Sequence, residues 1–113
     1  MTLSELNRKF NFHDSFIDSI HFEKLQDEVT LKIELCNWMQ RDYHEGEPET
    51  SEVQFVFSGI KNCEGPSGEF EEMTILKTEY LPDNKFVFML SDLSSYEYYE
   101  FIIVAEEVNY SPA

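Results

Sequence analysis

Apolar and polar residues alternate most cleanly at Val29, Leu31, Ile33 and Leu35, with Thr30, Lys32, Glu34 and Cys36 between them. A period of two sustained over this run predicts a strand with one face in a core and the other in water, the pattern of an antiparallel sheet. Upstream the signal is mixed. Phe12, Phe16, Ile17 and Ile20 fit a helix, whereas Phe16, Ile20 and Phe22 share one face of a strand interrupted at Asp18. Asp14 and Ser15 carry short polar side chains that can accept backbone N–H bonds a few residues onward. They favour a turn at His13 to Ser15, then a strand bulged near Asp18. Leu3, Leu6 and Phe10 recur at helical spacing, with Thr2 or Ser4 as a cap and Glu5 near the positive end. They predict a short helix whose narrow apolar stripe lies on a sheet.

Further along, residues 40 to 49 hold almost nothing apolar and include Gly46 and Pro48, which predicts a long, mobile hairpin loop. Alternation resumes at Val53, Phe55 and Phe57, and Ser58-Gly59 predicts the end of that strand. Gly65-Pro66-Ser67-Gly68 reads as a second irregular connection. Met73 to Tyr80 and Phe86 to Leu90 flank Leu81-Pro82-Asp83-Asn84-Lys85, whose proline and Asp-Asn pair suit a hairpin turn. Tyr98 to Val108 is the last strand. Its centre, Phe101 to Ala105, is apolar at every position, which predicts a central strand covered on both sides. No helical pattern is long enough for parallel crossovers. The sum is a mainly β fold: about six strands in an antiparallel sandwich or curled barrel, with a short N-terminal helix, residues 1–113 forming a single domain.

Composition adds two points. Ten Phe, six Tyr and a hydrophobic content of 42% supply a core large enough to argue against disorder despite the charge. The charge itself is lopsided: 23 Asp and Glu against 8 Lys and Arg leave a formal −15 at neutral pH. Such a field repels phosphate backbones and anionic membranes and steers cationic partners inward. The expected partner is therefore a basic protein, with no nucleic acid and no membrane. The first residues lack a basic, apolar leader, and no window approaches the roughly 18 apolar residues of a membrane span. Cys36 and Cys63 form no metal or redox motif, so they read as free thiols of a cytoplasmic protein.

Candidate chemistry is sparse. His13 and His21 would lie about 26 Å apart on one extended strand, too far to share a metal. His13, Asp14 and Ser15 are neighbours in sequence, and on extended backbone their side chains diverge where a catalytic triad must converge. The chain is accordingly read as non-enzymatic, with no cofactor, no metal and no catalytic residue. The alternative is a small-molecule or metal-binding barrel with its site at His13, Asp14 and Ser15. Two acidic stretches look like contact surfaces for a basic partner: Glu45, Glu47 and Glu49 in the long loop, and Tyr96, Glu97, Tyr99 and Glu100 before the last strand. Tyrosine gives rigid contact area with a polar tip, and carboxylates bind Arg and Lys through charged hydrogen bonds.

The stretch Phe12-His13-Asp14-Ser15-Phe16-Ile17, the run from Val29 to Leu35, and Phe55-Val56-Phe57-Ser58-Gly59-Ile60 together resemble a group of small acidic bacterial proteins. These carry an N-terminal His-Asp-Ser motif, a β-rich body and a Phe-x-Gly-apolar step midway. Some resemble immunity proteins of polymorphic toxin systems. The resemblance covers the first 60 residues and implies a cytosolic protein that binds and neutralises a cognate toxin, such as a nuclease. It assigns no residue a role.

Overall fold

The computed structural model describes residues 1–113. After helix α1 (Leu3–Lys9), six strands follow: β1 (Phe16–Glu23), β2 (Glu28–Cys36), β3 (Thr50–Glu64), β4 (Gly68–Leu81), β5 (Lys85–Asp92) and β6 (Glu97–Pro112). Every neighbouring pair is antiparallel, and the order β1-β2-β3-β6-β5-β4 closes on itself through a β4–β1 ladder. Of the two architectures that the alternation predicts, the fold is the barrel. Closure leaves no unpaired strand edge.

Valine, leucine and isoleucine at alternate positions of β2 fill the barrel, with Val29, Leu31, Ile33 and Leu35 all buried. They meet Phe55, Phe57, Phe86, Phe88 and Phe101 in a continuous interior cluster. Antiparallel connections alternate between the two ends of the barrel. One end carries α1, the β2–β3 loop and the β4–β5 turn; the other carries the turns β1–β2, β3–β4 and β5–β6. Helix α1 starts with a capping box, in which Thr2 Oγ1 accepts from Glu5 N at 3.1 Å and Glu5 Oε1 accepts from Thr2 N at 3.0 Å. Leu3 and Leu6 enter the core, and Met1 exchanges two 2.9 Å hydrogen bonds with Val108, which ties the amino terminus to β6.

Three local expectations change. In β1 the bulge at Asp18 is present, but it places Ile17 beside Ile20 on the inner face and leaves Phe16 opposite Glu34 on the outer one. Phe22 stays in register with Val29 yet sits at the barrel rim, 43% exposed. Strand β3 continues past Gly59 to Glu64. Gly59 adopts φ +67, and the register shift between Ile60 and Asn62 absorbs an extra residue, so the glycine marks a bend within the strand. In β6, Phe101, Ile103 and Ala105 are buried while Ile102 and Val104 are only half-buried. A closed barrel has one interior, so β6 is covered on one side.

Candidate functional site

The His13-Asp14-Ser15 turn sits where β1 begins, between β2 and β4. Asp14 turns the chain with φ +64, so the backbone stops pairing with β2, and the Ser15 hydroxyl takes over by accepting from Cys36 N at 2.9 Å. On the other side Asp14 N donates to Ile75 O at 3.0 Å, Ile75 N donates to Ser15 O at 2.7 Å, and Thr74 Oγ1 donates to the same carbonyl at 3.3 Å. Ser15 is fully buried. His13 and Asp14 lie outside, more than half exposed, with Nε2 and Oδ1 3.5 Å apart and His13 Nδ1 donating to Leu76 O at 2.6 Å. The three side chains therefore do not converge on one point. Ser15 stitches the seam of the barrel, and only the His13 and Asp14 side chains reach solvent.

The two acidic stretches fall at opposite ends. Glu45, Glu47 and Glu49 are exposed on the β2–β3 loop, at the α1 end. This loop is well anchored rather than loose. Asn37 bonds Glu49 O through its backbone and Pro48 O through its side chain, His44 N donates to Glu47 Oε1 at 3.1 Å, and Gln40 bonds both backbone groups of Asn11. Tyr96, Glu97, Tyr99 and Glu100 lie on the β5–β6 hairpin at the other end. Tyr96 closes the turn with φ +61 and is 83% exposed. Tyr99 leans its ring on the core and donates its hydroxyl to Glu97 Oε2 at 2.6 Å, a bond that pushes the phenol up from its ordinary pKa. Tyr98, which the sequence reading did not select, pairs with Ser91 and is 76% exposed. Its signal was available: alternation places it on the face opposite Tyr99.

Comparison of the chain with protein-family models, characterised proteins and solved structures returns no match. No helix is long and apolar enough to cross a membrane. Both cysteines are free, and burial pushes the Cys36 and Cys63 thiols above their ordinary pKa, away from the reactive thiolate form.

A carboxylate cluster emerges only in three dimensions. Glu34 and Glu52 lie directly opposite each other on β2 and β3, and the β1 bulge brings Asp18 to them, so that one oxygen of each lies within 4.8 Å of the others. These three could give a hard cation three oxygens, well short of the roughly six to eight that Ca²⁺ takes. Sharing a proton is the more natural chemistry. The Glu52 pKa is pushed up to about 7, first by its hydrogen bond with Asp18, then by desolvation, then by the charges of Asp18 and Glu34, with Lys32 opposing.

A folded-state pKa above the ordinary 4.5 means that the folded chain holds this proton more tightly than the unfolded chain. The group therefore costs nothing below about pH 4.5, and its cost grows as pH rises towards 7 and stays above it. Solvent screening at this exposed site limits the effect to about 1 kcal/mol. Thermal unfolding followed by circular dichroism should show Glu52→Gln gaining on the unmodified chain at pH 8 and losing that advantage at pH 4.5. An equal difference at both pH values would rule out the shared proton.

Proposed function

We propose that the chain is a non-enzymatic binding protein of the immunity type, which neutralises a basic toxin such as a nuclease by covering its cationic, phosphate-binding surface. The observation that carries this reading is the tip of the β5–β6 hairpin. Tyr96 and Tyr98 stand out from the surface there beside Asp92, Glu97 and Glu100, with Leu93 46% exposed in the same turn. Exposed aromatics provide contact area with little rotamer entropy to lose, and carboxylates around them pair with Arg and Lys. The formal charge of −15 supports it further, because it draws a basic partner in from a distance. Glu45, Glu47 and Glu49, at the far end, contribute to this long-range field; the hairpin makes the contact.

The test begins with a pull-down at low salt from extract of the source cell, followed by association kinetics with the purified partner. The association rate should fall about tenfold or more between low salt and roughly 0.5 M salt, as steered association does. Tyr96→Ala with Tyr98→Ala should raise the dissociation rate at least about tenfold, and Glu97→Lys with Glu100→Lys should slow association. A rate indifferent to salt, or unchanged binding in both double variants, would overturn the reading.

A further inference from the structure

Only eight Lys and Arg residues balance the acids of this chain, and four of them gather in one place. Arg8 and Lys9 from the last turn of α1, Arg41 from the β2–β3 loop and Lys77 from β4 line a cleft of about 400 Å³, together with His13. Asn7, Asn11 and Thr78 add hydrogen-bonding groups, and Phe10 and Met39 are the two apolar walls. One residue in five of the chain is Asp or Glu, yet the lining contains none. None of these Lys or Arg side chains forms an ion pair, the one close contact between a cationic side chain and a carboxylate being His13 with Asp14.

The favourable placement of cations at a helix C-terminus accounts for Arg8 and Lys9. It does not account for Arg41 and Lys77, which arrive from separate elements. Lys9 is partly occupied, with its Nζ 5.4 Å above the Tyr110 ring and Asp42 nearby. Asp42 also lies beside Arg8 and Arg41 in an adjoining hollow, and Glu5 acts on Arg8 from one turn back on α1, yet neither carboxylate is within ion-pair distance, so Arg8, Arg41 and Lys77 keep their charge towards the cleft. The walls are fixed in advance: Gln40 clamps the loop to Asn11 through bonds of 3.0 and 2.7 Å, and His13 is held by Leu76 O and by Asn11 Oδ1, which accepts from its backbone N–H. Gathering like charges costs free energy unless an anion answers them, and a prearranged site loses less entropy when one does.

We infer that this cleft binds a small phosphorylated anion with two or more negative charges. Guanidinium forks match phosphoryl oxygens in pairs, and the volume falls among small-molecule sites. A long polyanion such as nucleic acid would run out of the cleft onto a strongly acidic surface, whereas a short one feels only the local field. The site lies at the α1 end of the barrel, away from the β5–β6 hairpin, so it stands independently of the protein-binding surface.

Inorganic pyrophosphate is the probe, titrated by calorimetry and by amide NMR shifts at about 0.15 M ionic strength, where a screening length of roughly 8 Å shuts out the acids elsewhere on the barrel. Saturable binding is expected with a Kd below about 1 mM, with shifts centred on Arg8, Asn11, His13 and Lys77. Arg8→Gln with Arg41→Gln should weaken it at least about tenfold, Lys77→Gln alone by a smaller factor, and Lys24→Gln with Lys61→Gln, at the other end, not at all. All the substituted side chains are exposed, so the fold is retained. No saturation by roughly 10 mM, equal affinity in the Arg8/Arg41 variant, or citrate binding as tightly as pyrophosphate would each overturn the proposal.

Discussion

Ser15→Ala should lower the unfolding free energy by about 2 kcal/mol and the melting temperature by about 8 °C, whereas His13→Ala should cost under about 1 kcal/mol. The difference follows from what each side chain leaves behind. Ser15 Oγ accepts from Cys36 N at 2.9 Å, and both residues are essentially shut off from water. Alanine keeps the backbone bonds to Phe12 and Ile75 but abandons a buried N–H, which then bears its full desolvation cost. His13 loses one bond to Leu76 O at a half-exposed position, where water replaces it. Urea unfolding of the two variants checks the ranking. Equal losses would mean that the stitching of β1 to β2 does not depend on the serine hydroxyl.

Sequence periodicity reaches as far as the face each residue takes within its own strand. Val29 to Leu35 could be assigned to the core because a period of two maps directly onto the two sides of a pleat, and the polar interruption at Asp18 marked a bulge for the same reason. The bulge at Leu76 shows only as a change of phase, the inward positions passing from Met73 and Ile75 to Tyr80 with Lys77 and Glu79 exposed between, and the lysine of the Lys61 bulge lies on an outer face and looks regular. Pairing between distant segments was out of reach altogether. Closure of the barrel needs β4 beside β1, the carboxylate cluster needs Glu34 opposite Glu52, and the basic cleft needs three elements to deliver Arg8, Arg41 and Lys77. None of these follows from local pattern; each depends on register. The same limit explains why Glu45 and Glu97 could be grouped by chemistry in the sequence and yet stand at opposite ends of the fold.

Gly65→Ala should be the most damaging small substitution, at about 4 kcal/mol, from a strained backbone plus a contact that cannot relax. Gly65 holds φ +129, and a Cβ there would lie 2.6 Å from Glu100 O and 2.9 Å from Phe101 Cα. Those atoms belong to β6, which is fixed by ladders on both sides: Glu64 pairs with Ile102, and Glu100 with Met89. The strand cannot yield without breaking the barrel wall. Gly68, at the other end of the same connection, separates the two contributions. Its φ is +108, but a Cβ there meets nothing within 4 Å, so Gly68→Ala should cost only the backbone strain, about 2 kcal/mol. Equilibrium unfolding of the two variants measures the difference directly. If they fell together, the β3–β4 connection would not be held against β6. The rim cleft of about 430 Å³ that it borders, between Phe22, Ile60, Cys63 and Phe101, would then be free to open. If Gly65→Ala is the worse by about 2 kcal/mol, that end of the barrel is closed by backbone contact, and the β5–β6 hairpin that continues from it is presented on a rigid base.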